Sequence, residues 1–239
     1  MTEAMTDQHP VLAVSDLEIY YGAALAASGI SFEVPAGSVV TLLGANGAGK
    51  SSVARACSGL VPVKSGSIRL DGTDVTKWQA DQIRRAGLIY LPEGRGVFPN
   101  LSVLENLRLA IRLVPDRKQA LDLAFHFFPI LAERRGQRAG SLSGGEQQML
   151  SLARALAAQP KVAIIDEPSL GLAPKVIDSV FESLHRAKGL GMTMVVIEQF
   201  AHRALALSDH CVILRRGTVS WVGPATTSPD EISAHYLGG

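Results

Sequence analysis

The sequence predicts an α/β fold: one domain with a mainly parallel core sheet, an antiparallel β sub-lobe before it and an inserted helical sub-lobe. Three observations predict this class. Short β-type runs separated by turns fill residues 12–43, a strand–loop–helix unit spans 39–60, and the apolar runs 162–165 and 194–197 are typical of strands buried on both faces. At 239 residues the chain is long enough for one large domain.

The composition is that of an ordinary globular protein. Hydrophobic residues make up 47% and charged residues 19%, and the formal net charge is +1. Because so small a charge gives no broad cationic field, we expect no nucleic acid as a partner. Cys57 and Cys211 are far apart and lack a metal-ligand spacing, so we expect buried, reduced thiols.

The sequence also bears on cellular location. Residues 1–10 carry Glu3 and Asp7 and lack the apolar core of a secretory signal, so we expect a flexible N-terminus and a cytosolic chain. No stretch approaches the roughly 18 uninterrupted apolar residues that a membrane-spanning helix needs. Any role at a membrane is therefore expected to come through a partner.

The first elements alternate short strands with turns. Turn residues at 21–22 and 35–37 separate β-type runs, which predicts an antiparallel lobe that leads into a core strand at 39–43. A glycine-rich loop follows, and residues 50–60 have helical spacing that ends at Ser58-Gly59. Together these segments predict one strand–loop–helix unit.

A helical sub-lobe is predicted over about 94–150. The Ser-x-x-Glu spacing of a helix capping box begins at Ser102 and again at Ser143, each time ahead of apolar residues at helical spacing. The second of these helices is expected to end at Pro160. After the two buried strands, residues 211–222 are predicted to form a hairpin that turns at Arg215-Arg216-Gly217.

The loop after the first core strand matches the phosphate-loop pattern GxxxxGK[ST]. Backbone N–H groups of such a loop surround a β-phosphate, and the following helix points its positive end there. Lys50 would add a point charge, and the Ser51 hydroxyl would ligate the Mg²⁺ that bridges the outer phosphates. The structural alternative is a glycine-rich turn that only satisfies its own helix. The pattern and its setting favour a P-loop NTPase with a RecA-like core sheet, which binds ATP. The predicted phosphate-binding residues are Gly44, Ala45, Asn46, Gly47, Ala48, Gly49, Lys50, Ser51 and Ser52.

A pair of carboxylates ends the apolar run 162–165. Asp166 and Glu167 are expected at the carboxyl edge of a buried strand, where phosphates bind in sheets of this type. Asp166 would hold Mg²⁺ through water, and Glu167 would orient and deprotonate the attacking water. A solvated strand end is the alternative, which the upstream phosphate loop makes the weaker interpretation.

Residues 142–148, Leu-Ser-Gly-Gly-Glu-Gln-Gln, resemble the signature motif of the ABC ATPase family, and the resemblance covers nearly all of the chain. The resemblance implies that one subunit's signature closes on the γ-phosphate held by a second subunit, so hydrolysis needs two cassettes. It adds Ser143, Gly144, Gly145 and Glu146 to the nucleotide-binding residues. It also implies that Tyr21 stacks on adenine, with Tyr20 as the second choice and a core tyrosine as the structural alternative. A well-capped helix start is compatible with this role of the signature.

Three positions depart from the common pattern of that family. Glu93 stands where most members carry the Q-loop glutamine, Gln199 stands where they carry the switch histidine, and residues 169–172 lack the usual D-loop aspartate. Glu93 would still meet Mg²⁺, because a carboxylate suits a hard cation. Gln199 would donate one hydrogen bond to the γ-phosphate without adding charge. His202 and His210 are expected at the surface or in packing.

The same departures occur normally in the LivF-type ATPase of branched-chain amino acid importers, which the chain resembles in four segments. These are residues 92–95, 143–150, 167–174 and 236–239. The resemblance implies a second ATPase subunit, either a sister of the LivG type or a second copy, two membrane permease subunits and, indirectly, an external substrate-binding protein. It also implies a peripheral position on the cytoplasmic face of the membrane, with a permease helix in a groove near 93–98.

Three other functions stay open at this point. One is the ATPase of a lipopolysaccharide-type ABC exporter, which usually keeps the Q-loop glutamine and switch histidine. Another is an ATP-gated clamp that hydrolyses little ATP because of the departures at Glu93, Gln199 and 169–172. The third is a non-transport ABC protein, which usually has two cassettes or a long coiled coil, whereas this chain has one copy of each motif.

Overall fold

A computed structural model describes residues 9–94, 96–199 and 201–227. The predicted flexible segment 1–10 lies almost wholly outside this part of the chain, as does the terminal segment 236–239. Over the residues described, no helix is both long and apolar enough to cross a membrane.

The described residues form ten strands and eight α-helices. The strands are β1 (Leu12–Tyr21), β2 (Ala24–Val34), β3 (Val39–Leu43), β4 (Val63–Leu70), β5 (Thr73–Asp74), β6 (Leu88–Leu91), β7 (Val162–Asp166), β8 (Met194–Glu198), β9 (His210–Arg215) and β10 (Thr218–Pro224). The helices are α1 (Lys50–Cys57), α2 (Ala80–Ala86), α3 (Val103–Ala110), α4 (Arg117–Phe127), α5 (Pro129–Glu133), α6 (Gly144–Ala157), α7 (Pro174–Gly189) and α8 (Ala201–Leu207).

The strands form two sheets. An antiparallel sheet has the order β2-β1-β4-β5, and the core sheet has the order β10-β9-β3-β8-β7-β6. Strands β6, β7, β8, β3 and β9 are parallel, and β10 closes the edge as an antiparallel hairpin partner of β9. Because parallel strands end at the same edge, the segments after β3, β6, β7 and β8 converge there.

The core sheet is buried on both faces. Along β7, Val162 and Ile164 pack with α1 and the antiparallel sheet, whereas Ala163 and Ile165 pack with α6 and α7. Strands buried on both sides read as continuous apolar runs, which is why the sequence revealed β7 and β8. This packing supports the converging strand ends from both faces of the sheet.

The elements predicted from the sequence are present, with small differences at their ends. Strand β3 has the predicted bounds, and α1 ends at Cys57, where Ser58 caps it. Helix α6 ends at Ala157, before Pro160, because Gln159 has a left-handed φ of 49° and the residue before a proline disfavours helix. The sequence analysis did not predict β4, β5, α2, β6, α7 and α8.

Helix α7 anchors the helical sub-lobe to the core sheet. The Ser183 hydroxyl and the Arg186 guanidinium both donate to the carbonyl oxygen of Phe127, at the end of α4, at 2.8 and 2.7 Å. Helix α6 spans both regions, since its buried residues pack with α3 and α4 and with the sheet. These contacts fix the position of the α6 N-terminus.

Candidate functional site

The phosphate loop lies between β3 and α1. Gly49 precedes the helix with a left-handed φ of 99°, and a Cβ atom there would lie 2.7 Å from the backbone oxygen of Ala26. Only glycine fits this position, because both the conformation and the close backbone approach exclude a side chain. No side chain caps α1, so its first N–H groups are available to a ligand.

Lys50 is buried at the mouth of this loop. Its Nζ donates to the carbonyl oxygens of Gly44 and Ala45 at 2.8 and 3.2 Å. The same Nζ lies 3.8 Å from Glu167 Oε1, the distance of an ion pair. The structure thus places the predicted cation and the predicted base together, on residues 117 positions apart in sequence (167 − 50).

A cavity of about 620 Å³ opens over the loop and α1. This volume lies within the usual range of small-molecule sites. Its described lining residues are Tyr21, Leu25, Ala26, Asn46, Gly47, Ala48, Gly49, Lys50, Ser51, Ser52, Glu93, Glu167, Leu170, Arg216 and Gly217. Tyr21 is 44% exposed at this cavity and Tyr20 is not among the described lining residues, so the geometry favours Tyr21 as the aromatic residue.

Glu167 has the electrostatic environment of a base. Burial raises the pKa of its carboxyl group, Lys50 lowers it in part, and the charges of Asp166 and Glu93 raise it further. Its backbone has a left-handed φ of 46°, and its N–H donates to the Ile197 carbonyl at 2.9 Å. A strained backbone and a raised pKa are features that cluster at functional sites.

Asp166, the last residue of β7, is buried. Its Oδ2 accepts a hydrogen bond of 2.8 Å from the Tyr90 hydroxyl, and its Oδ1 has no hydrogen-bond partner. Burial and the charge of Asp166 raise the pKa of Tyr90, which keeps this donor protonated. A buried carboxylate oxygen without a partner calls for a ligand, a water or a cation.

These groups fit Mg²⁺. Asp166 Oδ1, the Ser51 hydroxyl and the Glu93 carboxylate are hard oxygen ligands of the kind that Mg²⁺ prefers. Among the described residues no group of three or more His, Cys, Asp or Glu could hold a metal ion. Such a poor protein ligand set is typical of Mg²⁺ that is bound largely through substrate phosphates.

The predicted signature residues lie elsewhere on the surface. Ser143 is exposed at the start of α6, where its Oγ accepts from the Glu146 N–H at 3.3 Å and Glu146 Oε2 accepts from the Ser143 N–H at 2.8 Å. Ser143 and Glu146 line a separate groove of about 490 Å³ beside α7. The structure therefore does not bring the signature to the chain's own phosphate loop.

Close packing against α7 also explains why position 145 is a glycine. A Cβ atom there would lie 2.6 Å from Cγ1 of Val176, on the first turn of α7. Glu146 also pairs with Arg134, with Nε and Oε1 2.8 Å apart. Burial alone would raise the pKa of Glu146, but the hydrogen bonds of Ser143 and the charge of Arg134 outweigh it and lower the pKa.

The departures from the family pattern surround the converging strand ends. Glu93 lines the cavity, and Gln199 follows β8, half-buried and outside the described lining residues. Glu198, beside it, is buried and accepts from the backbone N–H of Ser169 at 3.1 Å. His202 and His210 are exposed, and Cys57 and Cys211 are buried free thiols, as the sequence predicted.

Comparisons with known proteins agree with this geometry. The ABC transporter family model matches residues 27–170, which is more than half of the chain. This chain belongs to the ABC transporter family. It is 40% identical to the high-affinity branched-chain amino acid transport ATP-binding protein BraG of Pseudomonas aeruginosa, over 96% of this chain and all of that protein. It is 35% identical to a branched-chain amino acid transport ATP-binding protein LivF of Archaeoglobus fulgidus, over 82% of this chain and 84% of that one.

A solved structure of an ATP-binding subunit of an ABC transporter confirms the predicted P-loop fold. It is 28% identical, covers 94% of this chain and 98% of its own, and superimposes with a TM-score of 0.82. As a member of this family the chain is an ATP-binding subunit that hydrolyses ATP. The predicted family, fold and enzyme class are therefore confirmed.

The sequence analysis missed six residues of this ABC cassette's site. Leu25, Ala26, Leu170, Arg216 and Gly217 line the cavity, and Tyr90 donates a hydrogen bond to Asp166. Tyr90 lies 76 positions from Asp166 in sequence, and only the pairing of β6 with β7 brings them together. The sequence signals were the predicted hairpin turn, which contains Arg216 and Gly217, and the segment 169–172, which contains Leu170.

Proposed function

We propose that the chain powers an importer of branched-chain amino acids or related small solutes, as a peripheral subunit on the cytoplasmic face of the membrane. The observation that carries the ATPase part is the cavity in which the phosphate loop, Tyr21 and the raised-pKa carboxyl of Glu167 meet. The names and the near-complete coverage of the two relatives support the solute class.

In the proposed site, the triphosphate lies along the phosphate loop. The N–H groups of the loop and of the uncapped first turn of α1 surround the phosphates, and Lys50 exchanges its bonds to loop carbonyls for phosphate oxygens. Adenine stacks on Tyr21, whose exposed ring borders the cavity. Ser51, Asp166 and Glu93 would hold Mg²⁺, which would offset negative charge on the outer phosphates. Tyr90 keeps Asp166 oriented so that Oδ1 stays available.

Glu167 is the proposed general base. Its carboxylate accepts a proton from a water molecule whose oxygen attacks the γ-phosphorus, and the bond from that phosphorus to the bridging oxygen of ADP breaks. The products are ADP and inorganic phosphate. The raised pKa of Glu167 makes its carboxylate a stronger base than an ordinary glutamate. Gln199 donates one hydrogen bond to the γ-phosphate in this scheme.

A second subunit completes the site, because the chain's own signature lies in a different groove. Ser143, Gly144 and Gly145 of one subunit meet the γ-phosphate held by the other, and Glu146 keeps Ser143 in place through the capping box. The second subunit is a sister ATPase or another copy of this chain. This arrangement makes hydrolysis depend on assembly.

The proposed domain organisation is one ABC cassette over 11–239, with a helical sub-lobe at about 94–150. A groove of about 210 Å³ between β6 and α6 supports the attachment of a permease helix there. Pro92, Gly96 and Arg154 line it, and the Arg154 guanidinium stacks over Phe98 at 4.9 Å. Two permease subunits and an external substrate-binding protein complete the proposed importer.

The deciding experiment is transport by the intact complex. The tagged full-length chain is purified with its membrane partners, and ATPase activity in proteoliposomes is measured with leucine, isoleucine, valine, urea or a short amide and the co-purified binding protein. Stimulation by the branched-chain amino acids supports the proposal. Stimulation by a lipid-linked glycan without a binding protein would indicate an exporter, and nucleotide binding without turnover would indicate a clamp.

A further inference from the structure

The turn between β9 and β10 has an unusual residue at its first central position. Arg216 and Gly217 have positive φ angles of 49° and 81°, the pattern of a type I′ hairpin turn. This turn strongly favours asparagine or aspartate before glycine, because other residues are strained at positive φ. The stability of the hairpin therefore does not explain an arginine at this position.

The same turn is fixed to the phosphate loop. The Gly217 N–H donates to the carbonyl of Ala48 at 3.1 Å, and the Ser28 N–H donates to the carbonyl of Gly217 at 2.7 Å. The turn thus bridges the phosphate loop and β2. Because the turn is hydrogen-bonded on both sides, the backbone of Arg216 is held in place beside the cavity.

The guanidinium of Arg216 is available to a ligand. Arg216 and Lys50 are the two cationic side chains among the described residues that line the cavity. Lys50 is occupied by loop carbonyls and Glu167, whereas Arg216 is exposed and has no hydrogen bond or ion pair within the described part of the chain. Arginine suits phosphate because its planar fork donates two parallel hydrogen bonds.

We propose that Arg216 is a second cationic contact for the bound nucleotide and meets it at the α-phosphate. The inference rests on the proposed nucleotide site. Tyr21 and Leu25 mark the base end of the cavity, and Lys50 with Glu167 marks the γ-phosphate end. The turn contacts Ala26, which follows Leu25, and Ala48, two residues before Lys50, so it adjoins residues from both ends of the cavity. A contact at the α-phosphate is shared by ATP and ADP.

The test uses three variants of the full-length chain and calorimetric titration with ADP and with a non-hydrolysable ATP analogue. In Arg216→Asn we expect both nucleotides to bind about three- to ten-fold more weakly, the range of a charged hydrogen bond at a partly exposed site. Arg216→Lys should recover part of the loss. Arg215→Asn, on the exposed neighbour outside the cavity lining, should bind like the parent chain.

Thermal unfolding of the same variants separates binding from folding. Because asparagine suits the turn better, Arg216→Asn should unfold at the same temperature or about 1–3 °C higher while it binds nucleotide more weakly. Unchanged affinity in Arg216→Asn would overturn the inference, and a loss confined to the ATP analogue would overturn the α-phosphate position. Lys50→Ala tests the proposed nucleotide site independently. Unchanged nucleotide affinity in Lys50→Ala would refute that site, and not only the role of Arg216.

Discussion

Two helix N-termini of this cassette carry glycines, but they satisfy their N–H groups in opposite ways. Helix α1 starts after Gly49 without a side-chain cap and without an acidic residue in its first turn. Helix α6 starts at Ser143 with a complete capping box that includes Glu146. The N–H groups at the uncapped start of α1 can bind phosphate directly. At the start of α6 the capping box already satisfies N–H groups, so a phosphate from a second subunit would compete with that cap.

This difference matches the proposed division of the nucleotide site between the phosphate loop of one subunit and the signature of another. The phosphate-loop half breaks local rules, with a left-handed Gly49, a left-handed Glu167 and an orphan oxygen on Asp166. Residues 143–146 of the signature half have neither a left-handed backbone nor a buried side-chain oxygen or nitrogen without a partner. In the proposed arrangement, the strained half holds the nucleotide, and the signature half is stable on the surface before a second subunit binds.

The largest expected effect is on the phosphate-loop half. Glu167→Gln should lower the ATPase turnover of the assembled complex by on the order of 10² to 10⁴ and spare nucleotide affinity, because it removes the base and keeps the shape. Steady-state phosphate release and nucleotide titration measure the two quantities. Glu33→Gln, on an exposed position of β2, is the matched control. Unchanged turnover in Glu167→Gln would refute its role as the base.

The next effect separates capping from phosphate contact on the signature half. Ser143→Asp keeps a good N-cap but places a negative charge where the partner's γ-phosphate is expected. Stability should stay within about 0.5 kcal/mol of the parent, while turnover of the complex falls by roughly 10- to 100-fold, the value of a lost charge-assisted hydrogen bond.

Ser102→Asp is the control for that prediction. Ser102 caps α3 with the same Ser-x-x-Glu box but lies outside both grooves. Its substitution should leave turnover unchanged. Equal losses of turnover in Ser102→Asp and Ser143→Asp would mean that the signature serves only as a helix cap, and the contrast between the two helix ends would then disappear.

The sequence was informative where one segment carries its own signal. The phosphate loop, the paired acids at the end of β7 and both capping boxes are contiguous patterns, and the structure has them at the predicted positions. Tyr90 and Arg216 were missed because each acts across a tertiary contact. Strand β6 escaped notice because four apolar residues between α2 and a glycine-containing loop give no periodicity to count.

The two glycines offer a smaller contrast. Gly145→Ala should lower the free energy of unfolding by about 1–3 kcal/mol, because its methyl group would overlap Val176. Val176→Ala in the same chain should recover most of that loss, as a double-mutant cycle in chemical denaturation would show. Gly49→Ala should not be rescued by any neighbour, because its obstacle is the backbone oxygen of Ala26. Additive losses at Gly145 and Val176 would contradict this account.

The smallest effect concerns charge, and its sign differs between the two halves. The folded-state pKa of Glu146 is lowered, so this residue stabilises the fold above its unfolded pKa, and the contribution is lost as pH falls through the folded value. The folded-state pKa of Glu167 is raised, so the native state binds the extra proton, and stability falls as pH rises from the unfolded pKa through the folded one.

Glutamine substitutions of these two residues should therefore move stability at pH 7 in opposite directions. Glu146→Gln keeps the capping box and loses only the charge, so it should cost up to about 1 kcal/mol at pH 7. Glu167→Gln should slightly raise stability at pH 7, because it removes a charge whose pKa is raised in the folded state. Both differences should shrink towards pH 4 in urea denaturation of the full-length chain. Stability changes of the same sign in the two variants would contradict the account, because the pKa of Glu146 is lowered and that of Glu167 is raised.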